Sequence, residues 1–290
     1  MTLHEALASA RARLVAAGIL QAEASIDVDL YARTILGWDR ARLLAERQGP
    51  RPEALEPRFS EWVARRERHE PTAYIVGVRE FWGLDFEVTP AVLIPRPETE
   101  LVVEEALAVL RDGGRPASGD CRATRVADIG TGSGCVAVAV AREIRTCQVV
   151  ASDISADALI VARRNAARHD VADRVEFVTT SYLDGIVGPF SLVTANPPYV
   201  KDGDRPALGP GVLHEPDAAL FGGDGGFRDI GGVLDAAART LAPGGYLVME
   251  FGYGQEDGVA ALVQTRPALR LERVRHDLQG IPRTAIIRHR

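Results

Sequence analysis

Four consecutive residues, Asn196-Pro197-Pro198-Tyr199, have the chemistry to bind a planar amino group. They follow residues 190–193, a short apolar run that predicts a buried strand. Because proline has no N–H and pushes the residue before it into an extended conformation, the segment should form a stiff corner rich in carbonyl groups. The Asn196 amide oxygen and these carbonyls can accept the two hydrogens of an NH2 group, and the Tyr199 ring can cover its face. The alternative is an ordinary turn, in which Asn and Pro are common.

A glycine-rich turn follows another predicted strand and could approach a ligand closely. The strand covers residues 126–129 and contains Asp128. The turn reads Gly130-Thr131-Gly132-Ser133-Gly134. This order is not the dinucleotide fingerprint G-x-G-x-x-G, and no Gly-Lys pair follows, so the turn is not a P-loop for phosphates. A glycine turn of some other α/β domain is the alternative reading.

Asp153 follows the next predicted strand, residues 148–152. An acidic residue at this place can accept hydrogen bonds from both hydroxyls of a ribose, because ligands of parallel α/β sheets bind beyond the carboxyl ends of the strands. A ribose site beside a glycine turn, without a pyrophosphate motif, fits S-adenosylmethionine. Its amino-acid end would then lie near the glycine turn and Asp128.

Alternating strands and helices from Arg125 onward must position these residues. The predicted strands are residues 126–129, 148–152, 175–178, 190–194, 246–251, 270–275 and 284–288. The predicted helices are residues 135–145, 155–169, 227–241 and 258–269. We expect Pro243-Gly244-Gly245 to separate a helix from the fifth strand. The alternation predicts an α/β fold with a doubly wound sheet that carries helices on both faces.

Helical spacing of apolar residues predicts a small helical bundle before this sheet. Its helices should be residues 3–17, 23–36, 41–47 and 53–69, and one further turn should start at Pro71. Ile26 is among the apolar residues expected on the inner face of the second helix. The bundle could stabilise the larger domain or dock a partner.

A β-hairpin that turns near Gly83 should connect the two parts of the chain. We therefore expect a helical domain over residues 1–75, a β-hairpin linker over residues 76–92 and the α/β domain over residues 93–290. Residues 112–124 predict a flexible surface loop.

Arg96 lies between the hairpin and the next predicted helix, residues 98–110, and the acidic Glu98 and Glu100 lie at the start of that helix. They could gate a ligand pocket. The alternative is a solvated helix start, since acidic side chains suit the positive end of a helix dipole.

Composition and charge exclude several classes of protein. Of the 290 residues, 46% are hydrophobic, which is enough for one large core and a smaller one. No run of about 18 apolar residues could span a membrane, and no basic segment of a secretory signal opens the chain. The net charge of −6 includes no basic excess of the kind that binds duplex nucleic acid, so we expect no direct nucleic-acid partner.

The three cysteines, Cys121, Cys135 and Cys147, form neither a metal pattern nor a disulfide framework. We expect free thiols, no metal, a cytoplasmic location and a monomer.

Several motifs together resemble the PrmC/HemK-type protein-glutamine methyltransferases, which belong to the class I S-adenosylmethionine methyltransferases. The motifs that carry the resemblance, which extends over most of the chain, are residues 71–77, 80–84, 93–100, 128–134, 153–155, 196–199 and 215–216. The Asn-Pro-Pro-Tyr motif alone is shared with DNA-adenine and other N-methylating enzymes. The Arg-Pro-Glu-Thr-Glu segment together with the Phe-Trp-Gly hairpin is far more specific.

The resemblance implies methyl transfer from S-adenosylmethionine to the side-chain amide nitrogen of the glutamine in the Gly-Gly-Gln motif of peptide-chain release factors. A release factor is then the expected protein partner, and residues 1–75 would help to dock it. Residues 130–134, with Asp128 and Asp153, would hold the cofactor, and Tyr182 would lie against its adenine.

The same resemblance assigns the acceptor end of the site. Asn196 would bind the target amide close to the methyl donor, Pro197 would add its backbone carbonyl and Tyr199 would pack nearby. These three are the expected catalytic residues. The expected substrate-binding residues are Asn196, Pro197, Pro198, Tyr199, Arg96 and Glu98.

Three other functions remain open at this point. A small-molecule or amino-acid N-methyltransferase could use the same scaffold. An adenine methyltransferase on nucleic acid is disfavoured by the acidic net charge. A non-catalytic protein with a vestigial pocket is disfavoured by the presence of Asp128, Asp153 and Asn196.

Overall fold

A computed structural model of the chain describes residues 1–111 and 124–290. The described chain divides into two units. The first contains residues 1–78 and 209–214, and the second contains residues 79–208 and 215–290. Apart from residue 124, the surface loop expected over residues 112–124 lies outside the described residues, and so does Cys121. In the described ranges, no helix is both long and apolar enough to cross a membrane.

The first unit is the helical bundle that the sequence predicts. Its helices are α1 (Leu3–Ala16), α2 (Gln21–Leu36), α3 (Arg40–Ala45), α4 (Arg58–Glu67) and α5 (Thr72–Val76), with 3₁₀ turns at Glu53–Leu55 and Val212–His214. The buried faces of these helices share one apolar core that includes Leu3, Leu7, Leu14, Val28, Tyr31, Phe59, Trp62 and Val63.

Two details of the bundle differ from the prediction. The helix expected over residues 53–69 is interrupted, because Pro57 has no N–H and disfavours a helical conformation at Glu56, which is extended at φ −98° and ψ 153°. Ile26 is 67% exposed, so its expected inward position is wrong. Its neighbour Asp27 is buried instead, because its carboxylate accepts a hydrogen bond of 2.8 Å from Arg66 Nε.

The second unit contains a two-stranded hairpin and a seven-stranded sheet. The strands are β1 (Val78–Phe81), β2 (Leu84–Glu87), β3 (Thr124–Ile129), β4 (Cys147–Asp153), β5 (Val175–Thr179), β6 (Phe190–Ala195), β7 (Leu241–Glu250), β8 (Leu269–His276) and β9 (Pro282–His289). The hairpin pairs β1 with β2, and the large sheet has the order β5-β4-β3-β6-β7-β9-β8. Strands β3 to β7 are parallel to one another, and β9 runs antiparallel to both of its neighbours.

Helices cover both faces of the sheet, so the doubly wound fold is confirmed. The helices are α6 (Glu100–Arg111), α7 (Cys135–Glu143), α8 (Ala156–Arg168), α9 (Asp217–Leu220), α10 (Arg228–Thr240) and α11 (Glu256–Gln264), with 3₁₀ turns at Pro97–Thr99 and Asp202–Ala207. Residues of α6, α7 and α8 share one core with Val126, Val149 and Leu192, whereas α10 and α11 share the other core with Ala127 and Val193. Alternate residues of each strand therefore face opposite helix layers.

The segment Pro243-Gly244-Gly245 does not separate α10 from the fifth parallel strand, as the sequence had suggested. Strand β7 begins directly after α10 and includes these residues. The pairing passes from Phe190 with Leu241 to Leu192 with Tyr246, so extra residues on β7 form a bulge. A bulge tolerates a proline because the ladder hydrogen bond is already interrupted there.

The chain order of the strands reverses between β3 and β6. Strands β4 and β5 extend the sheet on one side of β3, and β6 and β7 extend it on the other side. Side chains at the carboxyl ends of neighbouring strands at such a switch point border a common crevice. This geometry brings together Asp128 on β3, Asp153 on β4 and Asn196 after β6.

Candidate active site

A cavity of about 280 Å³ lies beyond the carboxyl ends of these strands. The expected site residues that line it are Arg96, Asp128, Gly130, Thr131, Gly132, Ser133, Asp153, Tyr182, Asn196, Pro197 and Pro198. Three expected residues are not in its lining, namely Gly134, Tyr199 and Glu98. The structure therefore brings together residues that lie as much as a hundred positions apart in the chain.

Asp128 is a buried carboxylate at the end of β3, with only 3% of its surface exposed. One oxygen accepts a hydrogen bond from Thr131 Oγ1 and the other from Thr194 Oγ1, both at 2.7 Å. Burial raises the pKa of Asp128 to about 6, because the charged form loses its contact with water, and the two hydroxyl groups counteract part of that effect. The carboxylate thus lines the cavity in a fixed orientation.

Asp153, the last residue of β4, is hydrogen-bonded to the glycine turn. Its carboxylate accepts hydrogen bonds of 2.9 Å from the backbone N–H of Gly132 and from that of Ser155. Burial raises the pKa of Asp153, and the backbone N–H groups oppose that shift. Since each carboxylate oxygen has two lone pairs, both oxygens can still accept a hydrogen bond from a ligand hydroxyl.

Two glycines of the turn, Gly130 and Gly134, stand where a side chain would change the backbone conformation or the packing of the site. Gly130 has φ +66°, and a Cβ added there would meet no protein atom within 4 Å, so the backbone at the cavity is open to a ligand. Gly134 precedes α7, and an added Cβ would come within 3.1 Å of the Ala162 side chain. Gly134 therefore allows α7 and α8 to pack closely, and it does not face the cavity.

Tyr182 presents an aromatic ring to the cavity from a left-handed backbone conformation, φ +50°. Its carbonyl oxygen accepts a hydrogen bond of 2.5 Å from Ser152 Oγ, and its hydroxyl donates one of 3.1 Å to Asp229. Partial burial, with help from the nearby Asp229 carboxylate, raises the pKa of Tyr182 to about 12. The ring lies against Gly232 of α10, where an added Cβ would approach Tyr182 Cζ to 2.1 Å.

Asn196 lies at the opposite end of the cavity lining, after β6, and is half-buried. Its Nδ2 donates a hydrogen bond of 3.0 Å to Thr99 Oγ1, and that hydroxyl donates one of 2.6 Å to Glu250 Oε2. The other oxygen of Glu250 accepts a hydrogen bond of 3.0 Å from the Tyr199 hydroxyl. Tyr199 therefore contacts the buried Glu250 and is linked to Asn196 through Glu250 and Thr99.

The amide oxygen of Asn196 and the backbone carbonyl of Pro197 are available as acceptors. Among the described residues, no donor forms a hydrogen bond with either oxygen. Because Asn196 and Pro197 both line the cavity, this corner can accept two N–H groups from a bound molecule.

Gln255 holds the loop after Pro198 in place, and no sequence motif indicates this role. Its Nε2 donates to the Tyr199 carbonyl at 3.0 Å, and its Oε1 accepts a hydrogen bond of 2.8 Å from the Gly252 backbone N–H. Gln255 is 5% exposed, so this amide acts as a buried brace for the corner.

Thr99 and Glu250 were also missed by sequence reasoning as contributors to the site. Thr99 lies inside the Arg-Pro-Glu-Thr-Glu motif, and Glu250 stands at the carboxyl end of a buried parallel strand, a place where a charged residue needs a partner. That position is the signal that could have identified Glu250.

Arg96 lines the cavity and forms an ion pair of 2.5 Å with Glu215. The second oxygen of Glu215 accepts a hydrogen bond of 3.0 Å from the Ile94 backbone N–H. Glu215 therefore ties residues 94–96 to the segment around Pro216, and both segments border the cavity. Glu98 is half-buried outside the cavity lining, and its charge contributes to a raised pKa of Glu250.

The groups around the cavity fit S-adenosylmethionine in chemical type. Asp153 offers acceptors for a ribose, the open backbone at Gly130 allows close approach, and Tyr182 offers a flat ring. Asp128 provides a negative charge for an ammonium group. No cluster of three or more metal-ligating side chains occurs among the described residues.

Comparison with known proteins agrees with this architecture. The PrmC N-terminal domain matches residues 5–77, and the Methyltransferase small domain matches residues 117–223. A solved methyltransferase from Pyrococcus furiosus superimposes with a TM-score of 0.50 at 20% identity, covering 72% of this chain and 90% of that chain. The strand order and this structural similarity show that the chain has the class I methyltransferase fold.

Sequence relatives narrow the assignment. The release factor glutamine methyltransferase of Bradyrhizobium diazoefficiens is 40% identical over 268 residues, which cover 92% of this chain and 88% of the relative. That of Moorella thermoacetica is 38% identical over 285 residues, which cover 97% of this chain and 96% of the relative. The chain belongs to the release factor glutamine methyltransferase family.

Proposed function

We propose that this protein transfers a methyl group from S-adenosylmethionine to the side-chain amide nitrogen of the glutamine in the Gly-Gly-Gln motif of peptide-chain release factors. The observation that carries this proposal is the pair of free acceptors, Asn196 Oδ1 and the Pro197 carbonyl, in the lining of a cavity that also contains Asp128 and Asp153. A primary amide offers two N–H donors, which match two acceptors. The names of the relatives support the same substrate.

Residues at the β3 and β4 end of the cavity hold the cofactor in this proposal. Asp153 would bind the ribose hydroxyls, Tyr182 would lie against the adenine, and Asp128 would attract the ammonium group of the amino-acid end. Residues 130–134 would supply the turn that holds it, with Gly134 acting through the packing of α7 against α8, and Asn196 would be the neighbour of its methyl-donor end. When bound, S-adenosylmethionine supplies a strongly electrophilic methyl carbon on a sulfonium.

Asn196 and Pro197 perform the catalytic task, which is to position a weak nucleophile. An amide nitrogen reacts poorly because its lone pair is delocalised into the carbonyl group. Two hydrogen bonds, to Asn196 Oδ1 and to the Pro197 carbonyl, would orient the nitrogen for attack and stabilise the positive charge that develops on it. Tyr199 supports Asn196 through Glu250. The methylated nitrogen is acidic enough to lose its proton to water, so no dedicated base is required.

The remaining parts of the chain serve the protein substrate. We assign release factor docking to residues 1–75, a linking role to residues 76–92 and catalysis to residues 93–290. Pro198, Arg96 and Glu98 complete the substrate-binding set. A cytoplasmic location and a monomer, without a nucleic-acid or membrane partner, are part of the same proposal.

The test is methyl transfer from labelled S-adenosylmethionine to a release factor purified in unmethylated form from the same source. The control is the same release factor with the Gly-Gly-Gln glutamine changed to alanine. We expect label in the first protein and none in the second. If neither protein is labelled although the enzyme binds S-adenosylmethionine, the proposed substrate is wrong, and a small-molecule amine or amide becomes the acceptor to test.

A further inference from the structure

The hydrogen-bond chain behind Asn196 has a direction that the number of available protons determines. The Thr99 hydroxyl carries one proton and lies between Asn196 Nδ2, at 3.0 Å, and Glu250 Oε2, at 2.6 Å. A carboxylate can only accept, so Thr99 donates to Glu250 and must accept from Asn196. Only the NH2 group of the Asn196 amide can satisfy Thr99, and the amide oxygen is therefore the atom left for the cavity.

Glu250 is buried, with 1% of its surface exposed, and the Tyr199 hydroxyl also donates to it at 3.0 Å. Both of its oxygens thus meet hydroxyl donors. If Glu250 carried a donor of its own, one of these two hydrogen bonds would have to reverse or break. On the Thr99 side, a reversal would turn the Thr99 proton toward Asn196 and require the amide oxygen there. The amide would then present its NH2 group to the cavity.

We infer that Glu250 is a positioning residue which, through Thr99, fixes the Asn196 amide with its oxygen available to the substrate. This inference rests on the proposed function, because the orientation matters only for a ligand that brings N–H donors. With the amide reversed, the NH2 group of Asn196 would face the NH2 group of a substrate glutamine, and neither could accept. The reversed site would instead suit a carboxylate.

The substitution Glu250→Gln tests the direction of the chain with almost no change in shape. If the glutamine oxygen keeps the hydrogen bond from the Tyr199 hydroxyl, its NH2 group takes the place of Oε2 and donates to Thr99. The Thr99 proton is left with the Asn196 amide oxygen as its acceptor. We expect methyl transfer to a release factor to fall by on the order of a hundredfold, similar to the loss of one preorganised hydrogen bond in a catalytic site.

A second measurement separates this effect from a general loss of structure. The probe is a release factor whose Gly-Gly-Gln glutamine is replaced by glutamate, used as a competitive inhibitor. Two acceptors in the wild-type site repel its carboxylate, whereas a reversed Asn196 amide donates to it. We expect its inhibition constant, relative to the KM of the glutamine form, to fall about tenfold or more in Glu250→Gln, as for a hydrogen bond to a charged group.

Variants at Thr99 provide an independent check. Thr99→Val removes the hydroxyl and leaves the amide free to turn, so activity should fall and the preference for the glutamate form should rise. Thr99→Ser keeps the hydroxyl and should restore both values to within a few-fold of wild type. Thr240→Val is a matched control, since Thr240 is also buried and its hydroxyl donates only to the Ala236 carbonyl, at 2.8 Å.

The pH dependence of activity supplies a further readout. Burial raises the pKa of Glu250, as does the charge of Glu98, while the hydroxyl groups of Thr99 and Tyr199 and the charge of Arg283 lower it. Protonation of Glu250 adds a donor, as Glu250→Gln does. Activity should therefore fall as the pH decreases through the raised pKa of Glu250, and Glu250→Gln should lack that part of the profile.

The possible results distinguish the inference from the proposed function. Loss of activity with an unchanged preference for the glutamate form would overturn the inference, and so would full activity in both Glu250→Gln and Thr99→Val. Glu105→Gln controls for the loss of a buried carboxylate, because Glu105 is buried and pairs with Arg273 away from the cavity. A wild-type enzyme that labels no release factor would overturn the proposed function, and the inference with it.

Discussion

The two ends of the cavity hold their polar groups by different means. At the β3 and β4 end, Asp153 accepts hydrogen bonds from backbone N–H groups, and Asp128 accepts them from the hydroxyls of Thr131, three residues away, and Thr194, 66 positions away. At the β6 end, Asn196 is held by a side chain that lies 97 positions away in the sequence, and Thr99 is in turn held by Glu250, 151 positions away.

This difference separates two functions. The backbone donors that hold Asp153 are not removed by substituting the side chains of Gly132 or Ser155, so the Asp153 site depends chiefly on its own carboxylate. The acceptor end depends on a series of side chains, each of which must present the correct donor or acceptor. Substitutions at the first end should therefore affect cofactor binding, and those at the second end should affect methyl transfer.

The largest effect is expected from Asn196→Ala. It removes one of the two acceptors for the substrate amide and should lower the rate of methyl transfer by about 100- to 1,000-fold, as for the loss of an oxyanion-type hydrogen bond. Cofactor affinity, measured by calorimetric titration, should change little. Unchanged turnover in this variant would contradict the catalytic role of Asn196.

The corresponding substitution at the cofactor end is Asp153→Asn, which should change cofactor affinity and not the rate of methyl transfer. The NH2 group of the new side chain would face a backbone N–H of Gly132 or Ser155, and the negative charge would be lost. We expect the dissociation constant for S-adenosylmethionine to rise by about 10- to 100-fold, the range for a hydrogen bond to a charged group. The rate at saturating cofactor should be nearly that of wild type.

Asp157→Asn is the matched control, since Asp157 is exposed in the first turn of α8 and does not line the cavity. Equal cofactor affinity in the two variants would show that Asp153 is not a ribose ligand, and the division between the two ends would fail.

A smaller effect is expected from Gly232→Ala, which tests the shape of the cofactor end. The added Cβ would lie 2.1 Å from Tyr182 Cζ, so the ring must move. We expect cofactor binding to weaken by about tenfold, which corresponds to 1.4 kcal/mol.

The neighbouring Gly231→Ala is its control, because an added Cβ there would meet only the Arg266 guanidinium, at 3.7 Å. That variant should bind the cofactor normally and gain about 0.5–1 kcal/mol of stability from the helical alanine. Equal binding by both variants would remove Tyr182 from the cofactor site.

The contrast between the two ends also explains what the sequence could predict. Asp128, Asp153 and Asn196 stand at strand ends next to recognisable turns, so the alternation of strands and helices was sufficient to bring them together. Thr99 and Glu250 could not be placed in the same way, because their role arises from a contact between the 3₁₀ turn before α6 and the end of β7. A sequence pattern does not specify such a distant pairing.

The sequence pattern did not predict two local features of the fold, the positions of Pro243 and Ile26. Pro243 predicted a break between α10 and the fifth strand. It lies instead within β7, where a bulge in the pairing with β6 accommodates it. Ile26 had the periodicity of an inward-facing residue, yet the buried ion pair of Asp27 with Arg66 lies beside it and Ile26 is exposed. Periodicity alone does not show where a charged residue finds its partner.

Catalysis in this proposal depends on Asn196 and Pro197, which position the primary amide of the release factor glutamine. The most direct test of that role is to locate the transferred methyl group by tandem mass spectrometry of the release factor after reaction. We expect a single methyl group on the side-chain amide nitrogen of the Gly-Gly-Gln glutamine, and its appearance should be about 100- to 1,000-fold slower when Asn196→Ala replaces the wild-type enzyme. A methyl group on any other residue of the release factor would contradict the claim that Asn196 and Pro197 position a primary amide.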